Sequence, residues 1–265
     1  MRFLTILAIL LSLSFSLEAG TIDTIKKRGR LIVGLEPGFM PFEMQTSSGE
    51  MIGFDVRMMQ AFAKDLGVSA DFVTSKWDGI IPGLMARKYD LIVSGMTITP
   101  ERQRVVAFSE PYYDAGLKMI VHPKLKESVK KLSDIDQPSF TIAVKLGTTG
   151  DIFARKNIKK AKIRRMDTEA DAAQAVLLGK IDAFIYDKPY LQLYEAAKKD
   201  KVILLKDTVS KEQFGVAARK KDTALIARFN DFLQRWRADK KNGYDKAYQE
   251  IFVDMVWKSK FPNLF

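Results

Sequence analysis

Short runs rich in β-branched and aromatic residues alternate along the chain with stretches of helical periodicity, and this alternation constrains the fold most. Val56, Met59, Ala63 and Leu66 recur near a period of 3.6, and Gly67 follows at the position where helices end. Strands alternating with helices predict α/β layers with parallel sheets, whose ligands bind at the carboxyl ends of the strands. The predicted strands cover residues 31–35, 71–74, 90–94, 141–145, 181–186 and 202–205.

The segment from residue 90 to 108 contains one of these strands and the start of a helix. Thr99, Pro100 and Glu101 have the order of an N-cap, a proline at the first helical position and an acid in the first turn. Thr97 and Arg102 flank this start, so backbone N–H groups, a hydroxyl and a guanidinium converge where a carboxylate can bind. A buried structural arginine or a surface arginine is the alternative interpretation of Arg102.

Six segments of the chain resemble, in order, the family 3 periplasmic solute-binding proteins, the polar amino-acid receptors of bacterial ABC importers. The resemblance covers nearly all of the chain after its first twenty residues. The segments are FMPFEM (39–44), GFDVRMMQAFAKDLG (53–67), WDGIIPGL (77–84), SGMTITPERQRVVAFSEPYY (94–113), KLGTTGD (145–151) and KIDAFIYD (180–187).

This resemblance implies a two-lobed α/β fold of the type II periplasmic binding proteins. Each lobe holds a mixed sheet flanked by helices, and two crossover strands form the hinge. We expect the crossings near residues 112–116 and 213–215. Lobe one then holds residues 21–112 and 216–265, and lobe two holds residues 113–215.

The C-terminal part of the chain predicts a helix that covers lobe one. Leu225, Phe229, Leu233 and Trp236 form one apolar stripe, and Asn242 with Gly243 is expected to end the helix.

Composition and the N-terminus predict an exported protein. Residues 1–20, with Arg2 followed by an apolar stretch, have the form of a cleavable secretory signal peptide, which places the mature protein in the periplasm. The absence of cysteine excludes disulfides, thiolate catalysis and a lipid-modified cysteine anchor. The formal net charge of +11 comes from 43 lysines and arginines scattered among 32 acids, a pattern of solvated faces rather than of a nucleic-acid site.

The family resemblance assigns residues to both charged groups of an amino acid. Arg102 is expected to bind the α-carboxylate, helped by the Thr97 hydroxyl and backbone N–H and by the N–H groups of Thr148 and Thr149. The small residues of the GTTG turn, 147–150, let the backbone approach a ligand closely. Asp187 is expected to bind the α-ammonium with the Gly95 carbonyl. From its position before Lys-Pro, Asp187 could instead cap a turn or a helix.

Four further residues are expected to meet the ligand side chain. The resemblance places Phe39 and Trp77 on either side of it, although ordinary core positions are the default for such aromatics. Glu36 is placed at its far end, where an acid between aromatic rings suits lysine or arginine. Lys145 resembles instead the glutamine receptors, in which an acid and an amine hold the side-chain amide. Lys145 could also pair with Glu36 or lie clear of the ligand.

The function expected is a monomeric, non-catalytic receptor that binds a free polar L-amino acid, lysine or arginine before glutamine, and delivers it to an ABC permease. No cofactor or metal is expected, and the single histidine, His122, is expected to be structural or exposed. The alternative is an enzyme resembling the periplasmic cyclohexadienyl and arogenate dehydratases. Such an enzyme needs an additional acid in the cleft; Glu36 is the candidate, because Asp187 is already assigned and Tyr190 is no acid at neutral pH. A third class, a sensory or cell-wall module of this fold joined to another domain, is disfavoured because few residues lie outside the two predicted lobes.

Overall fold

The computed structural model describes residues 20–261 and contains short strands and helices in alternation. The strands are β1 (Arg30–Leu35), β2 (Met44–Gln45), β3 (Met51–Ile52), β4 (Ser69–Thr74), β5 (Leu91–Ile92), β6 (Val106–Phe108), β7 (Tyr113–Ala115), β8 (Leu117–Val121), β9 (Thr141–Lys145), β10 (Lys162–Met166), β11 (Ala183–Asp187), β12 (Ile203–Leu204), β13 (Glu212–Phe214) and β14 (Ala217–Arg219). The helices are α1 (Thr21–Arg28), α2 (Phe54–Leu66), α3 (Trp77–Met85), α4 (Pro100–Val105), α5 (Leu132–Ile135), α6 (Thr149–Asn157), α7 (Glu169–Leu177), α8 (Lys188–Ala197), α9 (Thr223–Ala238) and α10 (Tyr244–Tyr248). The predicted signal peptide falls almost wholly on residues 1–19, outside the described part.

Two five-stranded sheets organise the fold, as the two-lobed type II architecture requires. The first has the order β4-β1-β5-β14-β6 and the second the order β10-β9-β11-β8-β12. We call the first sheet with its helices lobe one and the second sheet with its helices lobe two. No helix within residues 20–261 has the length and apolar character of a membrane span.

A two-stranded antiparallel sheet joins the lobes. β7 leads from β6 of the first sheet to β8 of the second, and β13 leads back from β12 to β14. The register pairs Tyr113 with Phe214 and Ala115 with Glu212. The residue boundaries expected for the lobes stay a prediction, and we propose that the hinge lies at these two strands.

Three expectations from the sequence are corrected by the structure. The sheets are mixed, as the family resemblance implies, and not parallel, as the strand–helix alternation alone predicts, because β14 runs antiparallel to β5 and β6, and β8 runs antiparallel to β11 and β12. The strand–helix alternation could not reveal the antiparallel direction of β8 and β14, because each follows a hinge strand directly, with no crossover helix before it. The strand expected at residues 90–94 is only Leu91–Ile92, and the C-terminal helix ends at Ala238, before the Asn-Gly pair.

Helix α2 confirms the periodicity argument and shows what the apolar face does. The four residues of the predicted stripe, Val56, Met59, Ala63 and Leu66, are all buried. Phe54, Met58 and Phe62 widen the buried face. Gly67 ends the helix in the left-handed conformation, with φ 78°, which a residue without Cβ adopts at little cost.

Tyr89 fills the space between α3 and β1. Its ring packs on Gly34 of β1 and on Gly83 of α3, and its hydroxyl donates to the Ile80 carbonyl. A Cβ placed on Gly34 would lie 2.5 Å from the Tyr89 ring. Gly34 is therefore required by packing, two residues before the candidate site residue Glu36.

We predict that Gly34→Ala destabilises the protein by about 1–3 kcal/mol, because overpacking forces Tyr89 out of its position. The matched control is Gly79→Ala in α3, where the nearest atom would lie at 3.5 Å, an ordinary contact. The control is expected to be neutral or slightly stabilising. Urea unfolding measures both; equal stability of Gly34→Ala and wild type would contradict the packing argument.

Candidate functional site

All ten residues expected from the sequence to bind a ligand line one cleft between the lobes. They come from the carboxyl ends of five strands, β1, β4, β5, β9 and β11, and from the chain segments that follow these strands. The lining residues are Glu36, Phe39, Trp77, Gly95, Thr97, Arg102, Lys145, Thr148, Thr149 and Asp187, together with Glu43, Ser94 and Tyr186, which the sequence did not indicate.

Arg102 is held in the cleft from both sides. The Thr99 hydroxyl accepts a hydrogen bond from the Arg102 N–H at 3.2 Å, so the predicted cap of α4 is confirmed and fixes where the side chain begins. The guanidinium donates to the Thr97 carbonyl of lobe one at 2.8 Å and to the Gly147 carbonyl of lobe two at 3.5 Å. It lies 5.1 Å from the centroid of the Trp77 ring. Burial lowers its pKa, and Asp187 opposes that shift.

Asp187 is the buried acid of the cleft, contributed by lobe two. It directly precedes α8, but its side chain makes no capping hydrogen bond, so the interpretation of Asp187 as a simple helix cap is wrong. Its Oδ1 atom has no hydrogen-bond partner among the described residues. Burial raises the pKa of this carboxyl to about 8, Glu212 adds to the shift, and Arg102 and Lys145 oppose it. A buried carboxyl without a donor favours a cationic hydrogen-bond donor as its partner.

Glu212, on the hinge strand β13, accepts hydrogen bonds from the hydroxyls of two threonines that line the cleft. Its Oε2 atom accepts hydrogen bonds from Thr97 of lobe one at 3.0 Å and from Thr149 of lobe two at 2.8 Å. The Thr97 hydroxyl was expected to donate to a ligand carboxylate, but in the structure it donates to Glu212. The Thr148 N–H was expected to do the same, but it donates to the Lys145 carbonyl at 3.3 Å, within its own turn.

Aromatic side chains form the walls of the cleft. Phe39 packs edge-on against Tyr186 and lies against Gly95, where an added Cβ would be 2.3 Å from its ring. Trp77 spans the lobes, since its Nε1 donates to the Gly147 carbonyl at 3.0 Å. Phe39 is thus a core aromatic that also lines the cleft, and its contact with a ligand side chain stays a prediction.

At the far end of the cleft, Lys145 pairs with two carboxylates. Its Nζ atom donates to Glu36 Oε2 and, at 2.7 Å, to Glu169 Oε2. Although burial lowers the pKa of Lys145, Glu169 and Glu36 outweigh this effect and the net pKa is raised. Of the interpretations left open for Lys145, pairing with Glu36 is the one that the structure contains. Glu169 was missed because it lies 24 residues from Lys145 and reads in the sequence as an ordinary first-turn acid of a helix.

Behind the cleft lies a pair of fully buried carboxyls, Glu43 and Asp55. Asp55 accepts hydrogen bonds from the Gly95 N–H at 3.0 Å and from the Tyr112 hydroxyl at 2.8 Å, and Glu43 accepts one from Ser94 at 2.6 Å. The remaining oxygens, Glu43 Oε2 and Asp55 Oδ1, lack a donor if both groups are ionised. A proton held by Glu43 supplies that donor, because burial raises the pKa of Glu43 well above its ordinary value and that of Asp55 to about 6. The pair therefore holds the loop containing Ser94 and Gly95.

We predict that Glu43→Gln removes a pH dependence of stability. The raised pKa values mean that the folded state keeps protons that the unfolded state has released. The pair's contribution is thus complete below about pH 4. The part that comes from Asp55 is lost as pH rises through about 6, and the part that comes from Glu43 is lost as pH rises through its own raised pKa. Glutamine keeps a hydrogen-bond donor but does not titrate. The stability of the variant relative to wild type should rise with pH in urea unfolding; parallel pH profiles would contradict the shared proton.

Nothing in the described residues indicates a metal site. Within residues 20–261 there is no group of three or more His, Cys, Asp or Glu side chains able to hold an ion. His122 begins a short 3₁₀ turn, and its Nδ1 accepts a hydrogen bond from the Lys124 N–H at 3.2 Å, which is a structural role.

Comparison with known proteins adds a family match. The model of the bacterial extracellular solute-binding proteins, family 3, matches residues 31–254. The L-cystine-binding protein TcyJ of Escherichia coli K12 is 31% identical over 224 residues, which is 84% of this chain and 83% of that protein. The cyclohexadienyl dehydratase of Pseudomonas aeruginosa is 34% identical over 184 residues, 69% of each chain.

A solved structure is similar in fold and in sequence. The binding component of an ABC transporter from Wolinella succinogenes, crystallised in complex with lysine, is 41% identical and superposes with a TM-score of 0.83. The match covers 88% of this chain and 99% of that one.

Proposed function

Because the chain belongs to family 3 of the bacterial extracellular solute-binding proteins, we propose that it is a periplasmic receptor for a cationic L-amino acid. It binds lysine or arginine in the cleft between its lobes and delivers the amino acid to an ABC permease of the inner membrane. It acts as a monomer and performs no chemistry on its ligand.

The observation that carries this proposal is the placement of Arg102 and Asp187 in one cleft. Lobe one contributes the cation and lobe two the buried acid, so a ligand with a carboxylate and an ammonium on one carbon has a partner in each lobe. Asp187 Oδ1 accepts the α-ammonium, since none of the described residues donates to it. The charges of the ligand then favour closure of the two lobes.

The side-chain end of the cleft favours a cation. Phe39 and Trp77 flank the path from Arg102 to Glu36, and Glu36 lies at its end beside Lys145. Aromatic faces and a carboxylate both attract the ammonium of lysine or the guanidinium of arginine. The lysine complex of the similar Wolinella protein supports the same ligand class. Glutamine, whose amide suits an acid beside an amine, is the second candidate.

Dehydration of a cyclohexadienyl acid is the alternative function, because one relative performs it. Glu36 is the proton donor expected from the sequence, and burial raises its pKa; Asp187, with a pKa of about 8, is a second candidate donor. Against it, Glu36 and Glu169 together outweigh the ammonium of Lys145, so this end of the cleft repels the ring carboxylate of prephenate or arogenate. Burial also raises the pKa of the Tyr190 hydroxyl, which leaves it a weaker acid still. The charges of the cleft therefore favour a receptor for a cationic amino acid over a dehydratase.

We predict that Arg102→Ala and Asp187→Asn each weaken amino-acid binding by about 30-fold to several thousandfold, because each leaves one ligand charge buried without its partner. Arg104→Ala, on the exposed side of α4, and Asp207→Asn, on the exposed surface of lobe two, are controls that should bind normally. Isothermal titration calorimetry measures the affinities, and circular dichroism checks that the variants fold. Near-normal affinity in a folded Arg102→Ala or Asp187→Asn variant would contradict the assignment.

We predict further that ligand binding releases a proton near neutral pH. Asp187 is mostly protonated below its pKa of about 8, and the α-ammonium requires the ionised form. Affinity should therefore increase as pH rises from about 6 to 8 and then level off. Calorimetry in two buffers of different ionisation enthalpy counts the protons; a pH-independent affinity with no proton release would show that Asp187 is already ionised.

A thermal-shift screen of the twenty amino acids, prephenate and arogenate separates the candidate functions, because a ligand that binds only the folded state raises the unfolding midpoint. A shift with lysine or arginine supports the proposal. A shift with glutamine alone selects the second candidate, and turnover of prephenate or arogenate would overturn the receptor function.

A further inference from the structure

Glu169 is a buried acid that reaches the far end of the cleft from behind, without lining the cleft. It is the first residue of α7 and is 5% exposed. Its Oε2 atom accepts a hydrogen bond from Lys145 Nζ at 2.7 Å, and Lys145 itself is only 3% exposed. Any effect of Glu169 on a ligand must therefore pass through Lys145.

Close packing holds the Glu169 carboxylate in place. A Cβ added to Gly38, on the lobe-one segment that follows Glu36, would lie 2.8 Å from Glu169 Oε1. Gly38 has a φ of 119°, a conformation that residues with a side chain rarely adopt. Glycine at this position thus allows an acid from lobe two to approach the chain next to Glu36 when the lobes meet.

The charge balance at this end of the cleft depends on Glu169. Glu36 and Lys145 alone sum to zero, a polar but neutral pair that suits an uncharged amide. With Glu169, two carboxylates and one ammonium sum to −1. A buried charge without a partner is costly, so the group is balanced only when the ligand side chain brings a positive charge.

On the basis of the receptor function proposed above, we propose that Glu169 is a positioning residue for ligand specificity, which neutralises Lys145 and so leaves Glu36 for the side-chain cation of the ligand. Lys145 then acts as a spacer between two acids rather than as an amide-binding group. The preference for lysine or arginine over glutamine follows from this third charge and not from Glu36 alone.

The test is ligand preference in Glu169→Gln, a substitution of nearly equal size that removes the charge. Calorimetry with L-lysine, L-arginine and L-glutamine gives the ratio of cationic to glutamine affinity. We expect wild type to prefer the cations and Glu169→Gln to lower the ratio by about tenfold or more. Asp171→Asn, an exposed change of the same charge on the same helix, should leave the ratio unchanged, and Glu169→Asp should restore part of it.

The outcomes separate this inference from the proposed function. A folded Glu169→Gln variant that keeps the wild-type ratio overturns the role of Glu169 while the receptor for cationic amino acids stands. A wild-type protein that binds glutamine more tightly than both cations overturns both. If Glu169→Gln does not fold, Lys145→Met provides the converse test. Removing the ammonium leaves two carboxylates, so the ratio of cationic to glutamine affinity must rise. An unchanged or lower ratio overturns the inference.

Discussion

The cleft depends on one electrostatic arrangement, a guanidinium from lobe one and a carboxyl from lobe two that are buried in the same space. Arg102 is 9% exposed and Asp187 7% exposed, so both groups are largely removed from water. Arg102 is held by backbone carbonyls of both lobes, whereas Asp187 Oδ1 has no donor within residues 20–261. Burial of an unsatisfied acid is unfavourable and is tolerated where binding supplies the missing partner.

The rest of the fold positions these charges. Strands β1, β5, β9 and β11 direct their carboxyl ends toward the boundary between the lobes, and the hinge strands β7 and β13 connect the two sheets there. The carboxyl pair of Glu43 and Asp55 holds the loop after β5 from behind, and Glu212 joins hydroxyls of both lobes beside Arg102. Several polar side chains in and behind the cleft are thus themselves held by hydrogen bonds, which preorganises the cleft.

Local chemistry made part of this structure predictable from the sequence. The start of α4 at Thr99 and the end of α2 at Gly67 follow from capping rules, and the family resemblance brought ten lining residues to one cleft. What the sequence did not reveal is set by pairing across space. The antiparallel strands next to the hinge, the bonds from Thr97 and Thr149 to Glu212, and the contact of Glu169 with Lys145 join residues far apart in the chain. Sequence spacing does not predict such contacts, because each of the two residues, considered alone, is an ordinary polar residue.

The most direct test of the central claim is a crystal structure of the protein with bound L-lysine or L-arginine. The account predicts the α-carboxylate on the Arg102 guanidinium, the α-ammonium on Asp187, and the side chain between Phe39 and Trp77 with its cation at Glu36. A bound amino acid whose α-carboxylate and α-ammonium contact neither Arg102 nor Asp187 would contradict the account.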